Sequence, residues 1–275
     1  MEPIFEQAPK ELEPVWSGED CSPIEAGNES SGHLFPAALR PDSGKKWNDA
    51  DAPWRAGEFY KCLSIEAMNE FEAVAAPFRC QGGTVLFTEE QEPTSILFLL
   101  QGRVKLSINS ADGRRLILGI VGPGEILGIT SAVSGCAYET TAEAQFPCCI
   151  TSFQRQGFLD FLMRYPAAFQ SMARQLSLEY TRVCKQLRRL TLTLPASAKL
   201  ALLLLEWCAE GQQTEHGARI QCSLTHTEIG EYLGVSRETV TRTLNDFKSR
   251  ELLEQRGSIL VVPSPRALEI YACSG

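Results

Sequence analysis

The chain has 275 residues, 44% of them apolar, which predicts about two domains that each bury a hydrophobic core. Its formal net charge is −8, but residues 1–58 hold 12 acidic and 5 basic side chains, against 22 and 21 in the remainder. The remainder is almost neutral, so the overall acidity does not exclude binding to nucleic acid. No apolar run approaches the roughly 20 residues of a membrane span, and the first residues lack the apolar core of a signal peptide. These patterns argue against a membrane protein and favour a cytoplasmic location, where the ten cysteines are expected to be reduced.

Residues 1–57 are rich in Pro, Glu, Ser and Gly and show no sustained apolar periodicity. A segment of this composition buries too little apolar surface to offset the entropy lost on ordering. We therefore expect a disordered acidic arm, with the folded part of the chain beginning at about residue 58.

Residues 58–154 have the pattern of a small antiparallel β domain. Short runs rich in β-branched and large apolar side chains alternate with glycine turns, and Asp112-Gly113 between two such runs is a hairpin signal. Many short strands with regular turn signals predict a small β-barrel or sandwich. The predicted strands are residues 84–87, 95–100, 103–108, 115–121 and 148–153.

Residues 155–192 are predicted to be helical, with a break where Tyr165 precedes Pro166. After the break, apolar residues recur at spacings of 3, 4, 7, 4 and 3, which is a heptad-type stripe. A stripe of this length beside a compact β domain favours the pairing of two helices, so we expect a dimerisation helix. The stripe consists of Phe169, Met172, Leu176, Val183, Leu187 and Leu190.

Residues 224–247 encode two short helices joined by a glycine turn. Thr225 and Glu228 have the spacing of a capping box at the start of the first helix, and Gly234 suits the positive φ of a sharp turn. Ser236 is a good N-cap for the second helix. The inward face of the second helix repeats apolar residues at Val240, Leu244 and Phe247. These features predict a helix-turn-helix, whose second helix lies in the major groove of DNA.

The outward face of the second helix carries the groups that recognise base pairs. Arg237 and Arg242 offer guanidinium groups, which bind guanine O6 and N7, and Glu238 offers a carboxylate, which accepts a hydrogen bond from cytosine N4. An ordinary helical hairpin does not require these three groups on one exposed face. Lys248 is expected to contact phosphates instead of bases. The predicted DNA-binding residues are Ser236, Arg237, Glu238, Thr239, Thr241, Arg242, Asn245 and Lys248.

Strands predicted at residues 219–222, 252–254 and 258–262 flank the two helices and give residues 193–275 the pattern of a winged helix-turn-helix. The order of β domain, long helix and winged helix-turn-helix resembles the Crp/Fnr family of bacterial transcription regulators, over about residues 59–270. The most specific matches are VSRETVTRTLNDF in the second helix, LFLLQGRVKL and ADGRRLILGIVGPGEILG in the β domain, and GSILVV in the wing.

The resemblance implies an α+β fold with three parts. These are an N-terminal antiparallel, jelly-roll-like β-roll similar to a cyclic-nucleotide-binding domain, a long dimerisation helix and a C-terminal winged helix-turn-helix. It also implies a homodimer that binds palindromic double-stranded DNA, contacts RNA polymerase and responds to a signal at the β-roll. The loop at residues 210–217 lies where activating members touch RNA polymerase.

The recognition helix of catabolite-activator-type members begins S-R-E-T-V-x-R, and the first Arg, the Glu and the last Arg contact base edges. These positions match Arg237, Glu238 and Arg242 here. In anaerobic-regulator-type members a Glu, a Ser and an Arg read the bases, which Glu238, Thr241 and Arg242 also fit. Arg237 favours the former type, with a G·C pair read at each arginine.

The matching effector site departs from the family's cyclic-nucleotide pattern. Its phosphate-binding G-E-x-x-G loop is kept, and backbone N–H groups in such a loop bind anions. The Arg-Ser pair that follows in the family is replaced by Tyr138 and Glu139, and the dimer-helix hydroxyls by Glu179 and Tyr180. A carboxylate in place of the guanidinium group repels a phosphate, so binding of cyclic AMP or GMP is disfavoured. The candidate effector-binding residues are Gly124, Glu125, Gly128, Tyr138, Glu139, Glu179 and Tyr180.

The sequence supports no metal or cofactor. An iron–sulfur cluster needs about four thiolates, and the family's cluster-bearing members place three of them close together near the N-terminus. Here only Cys21 lies there, with Cys62 and Cys80 far along the chain. The three histidines are scattered and make poor haem ligands; they are His33, His216 and His226.

Two alternatives remain open. Most cysteines are expected to be small apolar core residues, but Cys148 and Cys149 cannot both face inward on one strand, so one of them can be an exposed, redox-active thiol. A thiol-based or metal- or haem-based redox regulator of the same family is therefore one alternative, and an adaptor that binds protein instead of DNA is the other. The chain has no catalytic motif such as GxSxG, HExxH, a Walker loop or GxGxxG, so we do not expect an enzyme. The proposed signal acts through a hinge at residues 192–195.

Overall fold

A computed structural model of the protein describes residues 57–74, 76–191 and 194–274. The predicted N-terminal arm lies outside the described residues, except for Gly57, and so do two residues of the predicted hinge. No helix in the described ranges is long and apolar enough to cross a membrane.

The described N-terminal half contains two four-stranded antiparallel sheets whose inner faces pack against each other, which is the predicted β-roll. One sheet has the strand order β1-β8-β3-β6 and the other β2-β7-β4-β5. The strands are β1 (Ala76–Cys80), β2 (Val85–Phe87), β3 (Ser95–Gln101), β4 (Val104–Asn109), β5 (Arg115–Val121), β6 (Ile126–Leu127), β7 (Thr141–Ala144) and β8 (Cys148–Gln154). All five strands predicted in this region are present, with ends shifted by at most one residue.

The sheet that contains β3 and β8 is buried on both faces. Its inner face packs against the other sheet, and its outer face packs against a cluster of phenylalanines that includes Phe59, Phe98 and Phe158. The covering helices are α1 (Glu58–Lys61), α2 (Ile65–Val74) and α4 (Arg155–Arg164), while α3 (Ile129–Ser134) lies between β6 and β7 in the chain. Because β8 is covered on both sides, Cys148 and Cys149 are both buried, and the prediction that one of them is exposed was wrong.

The long helix α5 (Pro166–Thr191) packs one side against the β-roll. Two glutamine side chains fix its position. The Gln175 amide donates to the Ile126 carbonyl at 2.8 Å and accepts from the Ile126 N–H at 3.2 Å. The Gln186 amide donates to the Ile117 carbonyl at 3.0 Å.

Another side of α5 carries large apolar side chains that are exposed to solvent in the single chain. We call this set the apolar stripe: Phe169, Tyr180, Val183 and Leu187. Met172, which the sequence placed on the same face, is buried in the chain's own core and does not belong to the stripe.

The C-terminal domain (residues 194–274) packs its helices against a four-stranded antiparallel sheet with the order β11-β12-β10-β9. Its helices are α6 (Ala196–Glu210), α7 (His226–Leu233), α8 (Arg237–Ser249) and α9 (Pro265–Ser274). Its strands are β9 (Gln212–Thr214), β10 (Gly217–Gln221), β11 (Glu254–Arg256) and β12 (Ile259–Val262). The predicted α+β fold with a winged helix-turn-helix is therefore confirmed. The loop expected at residues 210–217 contains a strand, β9, which pairs with β10.

A buried ion cluster joins the β-roll to the C-terminal domain. Lys105 on β4 places its Nζ 2.6 Å from Glu228 Oε1 on α7 and 3.4 Å from Glu143 Oε1 on β7. Arg115 on β5 supports Glu143 from the other side, with Nη2 2.5 Å from Oε2. Burial alone raises the pKa of Glu228, but hydrogen bonds from Lys105 and Thr225 outweigh it and hold the pKa below its usual value. Ile117 of β5 extends the contact, because it packs in the hydrophobic core of the C-terminal domain.

We predict that Lys105→Met lowers the free energy of unfolding by roughly 2–3 kcal/mol, because it leaves two partly buried carboxylates without their shared cation. Urea unfolding followed by circular dichroism measures the change. Arg114→Met is the matched control, since Arg114 forms an exposed pair with Asp112 and its loss should cost less than about 1 kcal/mol. Equal losses in the two variants would contradict a structural role for Lys105.

Candidate nucleic-acid interface and effector site

Local signals in the sequence determine how α7 begins and how the turn to α8 is built. Thr225 Oγ1 accepts from the Glu228 N–H at 3.2 Å, and the Glu228 carboxylate accepts from the Thr225 N–H at 2.9 Å, which completes the capping box. Gly234 ends α7 with φ of 67°, in the left-handed region. At Gly230 the turn after α7 folds back so closely on the helix that a Cβ atom would lie 2.6 Å from the Val235 carbonyl oxygen.

Helix α8 presents a polar face on a buried apolar base. Ser236 caps the helix by accepting from the Thr239 N–H at 3.2 Å, and the two hydroxyl groups are 3.1 Å apart. The predicted inward residues Val240, Leu244 and Phe247 are buried. The outward residues line one open surface on the other side of the helix; they are Arg237, Glu238, Thr241, Arg242 and Asn245.

His226, which the sequence analysis treated only as a poor haem ligand, holds one of these outward residues. Its Nδ1 lies 2.9 Å from Thr241 Oγ1, and that hydroxyl donates its single proton to the Arg237 carbonyl at 3.0 Å. Nδ1 must therefore be the donor to Thr241, which fixes the tautomer of the ring. Burial lowers the pKa of His226, and Lys248 and Arg237 lower it further. The position of His226 directly after the Thr225 cap was the available signal, because the first turn of α7 faces α8.

The cations near α8 differ in how they are held. Arg250 pairs with Asp246 at 2.9 Å and lies over the ring of Tyr271, and Arg256 lies 3.7 Å from Glu254. Lys248 forms no ion pair with any residue that the structure describes. Of these cations, Lys248 is therefore the freest to contact an anion outside the chain.

Residues 182–199 contain five basic side chains and no acidic one, and the fold itself holds three of the five. Arg189 is buried, donates to Gln186 and Glu206 at 2.7 Å each, and packs over the ring of Tyr232. Lys199 is also buried. Arg182 pairs with Glu125 across the gap between α5 and the β-roll.

The loop that matches the family's phosphate-binding motif is occupied by the chain's own groups. Glu125 accepts from the Gly122 N–H at 2.7 Å and pairs with Arg182. Gly128 has φ of 74°, and a Cβ atom there would lie 2.6 Å from the ring of Tyr138. Tyr138 is buried inside the β-roll, where it stacks on Phe87 with ring centroids 4.0 Å apart and donates to the Ser95 carbonyl at 2.6 Å.

Three glutamate side chains lie close enough together in this region for their charges to interact. Burial raises the pKa of Glu179, and the nearby Glu125 and Glu139 raise it further, against opposition from Gln175 and Arg182. Gln175 donates to Glu179 at 3.0 Å, and Ser131 donates to Glu139 at 2.8 Å. Tyr180 points away from this region, since it belongs to the exposed apolar stripe.

Among the residues that the structure describes, no three or more His, Cys, Asp and Glu side chains form a group that could hold a metal ion. Cys21 and His33 lie outside those residues. His216 and His226 both lie in the C-terminal domain, on a turn and on α7 respectively.

Two family models match the chain in the order in which its domains occur. Residues 77–165 match the cyclic nucleotide-binding domain and residues 198–271 match the Crp-like helix-turn-helix domain, which together cover more than half of the chain.

Similar proteins include the cAMP-activated global transcriptional regulator CRP of Pasteurella multocida, which is 25% identical over 66% of this chain and 87% of its own. The nitrogen fixation regulation protein FixK of Bradyrhizobium diazoefficiens is 29% identical over 73% of this chain and 82% of its own.

Solved structures share the fold. FixK2 from Bradyrhizobium japonicum superposes with a TM-score of 0.65 at 21% identity, over 72% of this chain and 96% of its own. The c-di-GMP responsive global regulator CLP of Xanthomonas campestris superposes with a TM-score of 0.63 at 18% identity, over 73% and 100%. With both domain models matched in sequence order and the long helix α5 running between them, this chain belongs to the Crp/Fnr family of transcription regulators.

Proposed function

We propose that this protein is a sequence-specific DNA-binding transcription regulator, not an enzyme. In this proposal residues 58–154 sense a signal, residues 155–192 form the dimer, and residues 193–275 bind DNA. The observation that carries the proposal is the outward face of α8, where two arginines and a glutamate stand exposed beside Thr241 and Asn245. The same combination of groups reads G·C base pairs in the major groove.

The packing beneath the outward face of α8 holds the helix in the fixed position that base recognition requires. A buried apolar base and two capped helix starts hold α8 in one orientation, so its exposed side chains lose little freedom on binding. Arg242 has no hydrogen-bond or ion-pair partner among the described residues, which leaves its guanidinium group available. The carboxylate of Glu238 lies in the first turn of α8, where hydrogen bonds with its own backbone and with Ser236 lower its pKa and favour the ionised form. Ser236, Thr239 and Lys248 would contact the phosphates on either side.

We further propose that the protein acts as a homodimer on palindromic DNA, with the apolar stripe of α5 as its interface. Four large apolar side chains, each at least half exposed, occupy one face of this helix in the single chain. Such a patch on an otherwise amphipathic helix favours pairing with a second copy. Two-fold symmetry would place two α8 helices on half-sites about one DNA turn apart.

We propose that the signal is not a cyclic nucleotide. The place of the phosphate-binding arginine is taken by Tyr138, whose ring is buried, and the neighbouring Glu125, Glu139 and Glu179 would repel a phosphate. A signal that acts between the β-roll and α5 would shift the population of C-terminal-domain orientations about the hinge at residues 192–195. RNA polymerase is a proposed further partner, at the β9–β10 hairpin, on the strength of family membership alone.

Arg242→Ala should weaken binding to the preferred site by roughly 1–3 kcal/mol and reduce discrimination at one base pair. Selection from random DNA first gives the site, and fluorescence anisotropy on matched and mismatched duplexes then measures the change. Lys248→Ala is the matched variant, because loss of a phosphate contact should weaken all sequences about equally and reduce the salt slope. An equal loss on both duplexes for Arg242→Ala would refute base reading by this residue.

A salt-independent affinity of the unchanged protein for DNA would favour the alternative of an adaptor that binds protein.

Val183→Glu combined with Leu187→Glu should convert the dimer to a monomer, because two carboxylates would lie in the apolar interface of each copy. Sedimentation equilibrium measures the mass, and binding to the full palindrome should fall while binding to a half-site persists. Leu178→Glu is the control, since this exposed leucine lies on a different side of α5. A dimer that survives the double substitution would place the interface elsewhere.

Calorimetric titration with cyclic AMP and with cyclic GMP should give no binding in the micromolar range, because Tyr138 replaces the family's phosphate-binding arginine and three carboxylates lie nearby. The double variant Tyr138→Arg with Glu139→Ser restores the family's residues at these positions and serves as the comparison. A micromolar dissociation constant for the unchanged protein would contradict the proposal that the signal is not a cyclic nucleotide. The proposal of DNA binding would not be affected by that result.

A further inference from the structure

Two buried cysteines face each other at one end of the β-roll. Cys80 is the last residue of β1 and Cys148 is the first residue of β8, and the antiparallel register pairs them directly. Directly opposed residues on antiparallel strands have Cα atoms about 4.5–5.5 Å apart. A disulfide needs Cα atoms about 4.4–6.8 Å apart, so this pair meets the requirement without movement of the backbone.

The surroundings leave room for the Cys148 sulfur and hold it in place. A Cβ atom on Gly102 would lie 2.5 Å from Cys148 Sγ, so only glycine permits the sulfur to occupy this position. In its thiol form Cys148 lies 3.2 Å from the Phe146 carbonyl oxygen and 3.4 Å from that of Arg103. The side chain is thereby confined to the end of the strand, next to Cys80.

The two thiols differ in how readily they ionise. A hydrogen bond from the Cys80 thiol lowers the pKa of Cys148 to about 7, although burial opposes the shift. The same hydrogen bond and burial raise the pKa of Cys80. Of the two, Cys148 is therefore the thiol that ionises more readily, and the thiolate is the form that attacks oxidants.

Both sulfurs are buried, but they lie directly beneath the surface. Residues 81–83, which follow Cys80, are exposed, and so are Phe146 and Pro147, which precede Cys148. Cys80 and Cys148 keep 5% and 3% of their surface exposed beside these turns, so a small neutral oxidant can reach the pair more easily than a bulky thiol reagent.

We propose that Cys80 and Cys148 form an oxidisable dithiol, a modification site that closes into a disulfide on reaction with hydrogen peroxide. This inference concerns the β-roll alone and goes beyond the proposed DNA-binding function. In the first step the Cys148 thiolate attacks a peroxide oxygen, an S–O bond forms, the O–O bond breaks, and the departing hydroxide takes a proton to become water. In the second step the Cys80 sulfur gives up its proton and attacks the Cys148 sulfur, and the S–O bond breaks to release a second water. Two thiols lose two electrons and two protons, and the peroxide is reduced to two waters.

The site lies next to the contact between the two domains. The Arg103 carbonyl oxygen, which Cys148 contacts, belongs to a residue that lines a cleft together with Trp207 and Arg219 of the C-terminal domain. A disulfide removes the Cys148 thiol proton and with it the hydrogen bond from this thiol to the Arg103 carbonyl oxygen.

The test uses the full reduced chain, treated with hydrogen peroxide, then alkylated in denaturant, digested and mapped by mass spectrometry. The expected result is a peptide pair joined through Cys80 and Cys148, with the loss of two hydrogens, that disappears when a reductant precedes digestion. The exposed Cys273 reports in the same sample that the peroxide dose was effective. Recovery of both Cys80 and Cys148 as alkylated thiols, once Cys273 has been oxidised, would overturn the proposal.

Two variants assign the roles of the sulfurs. Cys80→Ser should form no cross-link and should instead show the gain of one oxygen on Cys148, because the second thiol is missing. Cys149→Ser is the matched control, since Cys149 is the next residue of β8 but packs in the cluster on the other side of the sheet. Its cross-link between Cys80 and Cys148 should form as in the unchanged chain. A cross-link that is lost in Cys149→Ser and kept in Cys80→Ser would assign the chemistry to Cys149 and refute this pairing. The map of the unchanged chain decides the question even where a variant fails to fold.

Discussion

The contact between the two domains is centred on one buried ammonium group. Lys105 leaves the β-roll and ends between Glu143 of its own domain and Glu228 of α7. Transferring these charges out of water is costly, so the arrangement persists only while all three groups are in place. Glu228 also completes the capping box of α7. Glu228 therefore both caps the first helix of the helix-turn-helix and binds that helix to the β-roll.

This docking leaves the proposed DNA-binding surface of α8 free. The β-roll contacts α7 through β5 and Lys105, whereas the exposed side chains of α8 line an open surface formed by α8 residues alone. The described arrangement therefore does not hide the proposed base-reading groups. In the proposed dimer, a signal would have to change the position of α8 relative to that of the second copy, since the surface of α8 is already accessible in one chain.

Local patterns in the sequence predicted the parts of the fold whose cause is local. Strand β5 was predicted with its ends correct, because apolar residues follow a glycine turn, and the capping box marked the first residue of α7. Strand β7 was missed because its sequence TAEA contains no large apolar side chain, and β6 was missed because it has only two residues.

Contacts between distant parts of the chain could not be predicted from local sequence patterns. Lys105 and Glu228 are 123 residues apart, and no local pattern relates them. At the effector site the family resemblance indicated which residues replace the usual Arg-Ser pair, but not that the Tyr138 ring turns inward to stack on Phe87. The burial of both Cys148 and Cys149 likewise depends on helices that cover the outer face of β8.

The side chain of Gln186 couples the orientation of α5 to both domains. Its amide nitrogen donates to the Ile117 carbonyl of the β-roll and, at 2.6 Å, to the Tyr232 carbonyl of α7. One side chain on α5 therefore ties together a strand of one domain and a helix of the other, one residue before the stripe residue Leu187. A rotation of α5 about its axis would pull on both carbonyl groups at once. In the proposed dimer, the angle at which two copies pair would therefore be coupled to the angle at which each copy holds its helix-turn-helix.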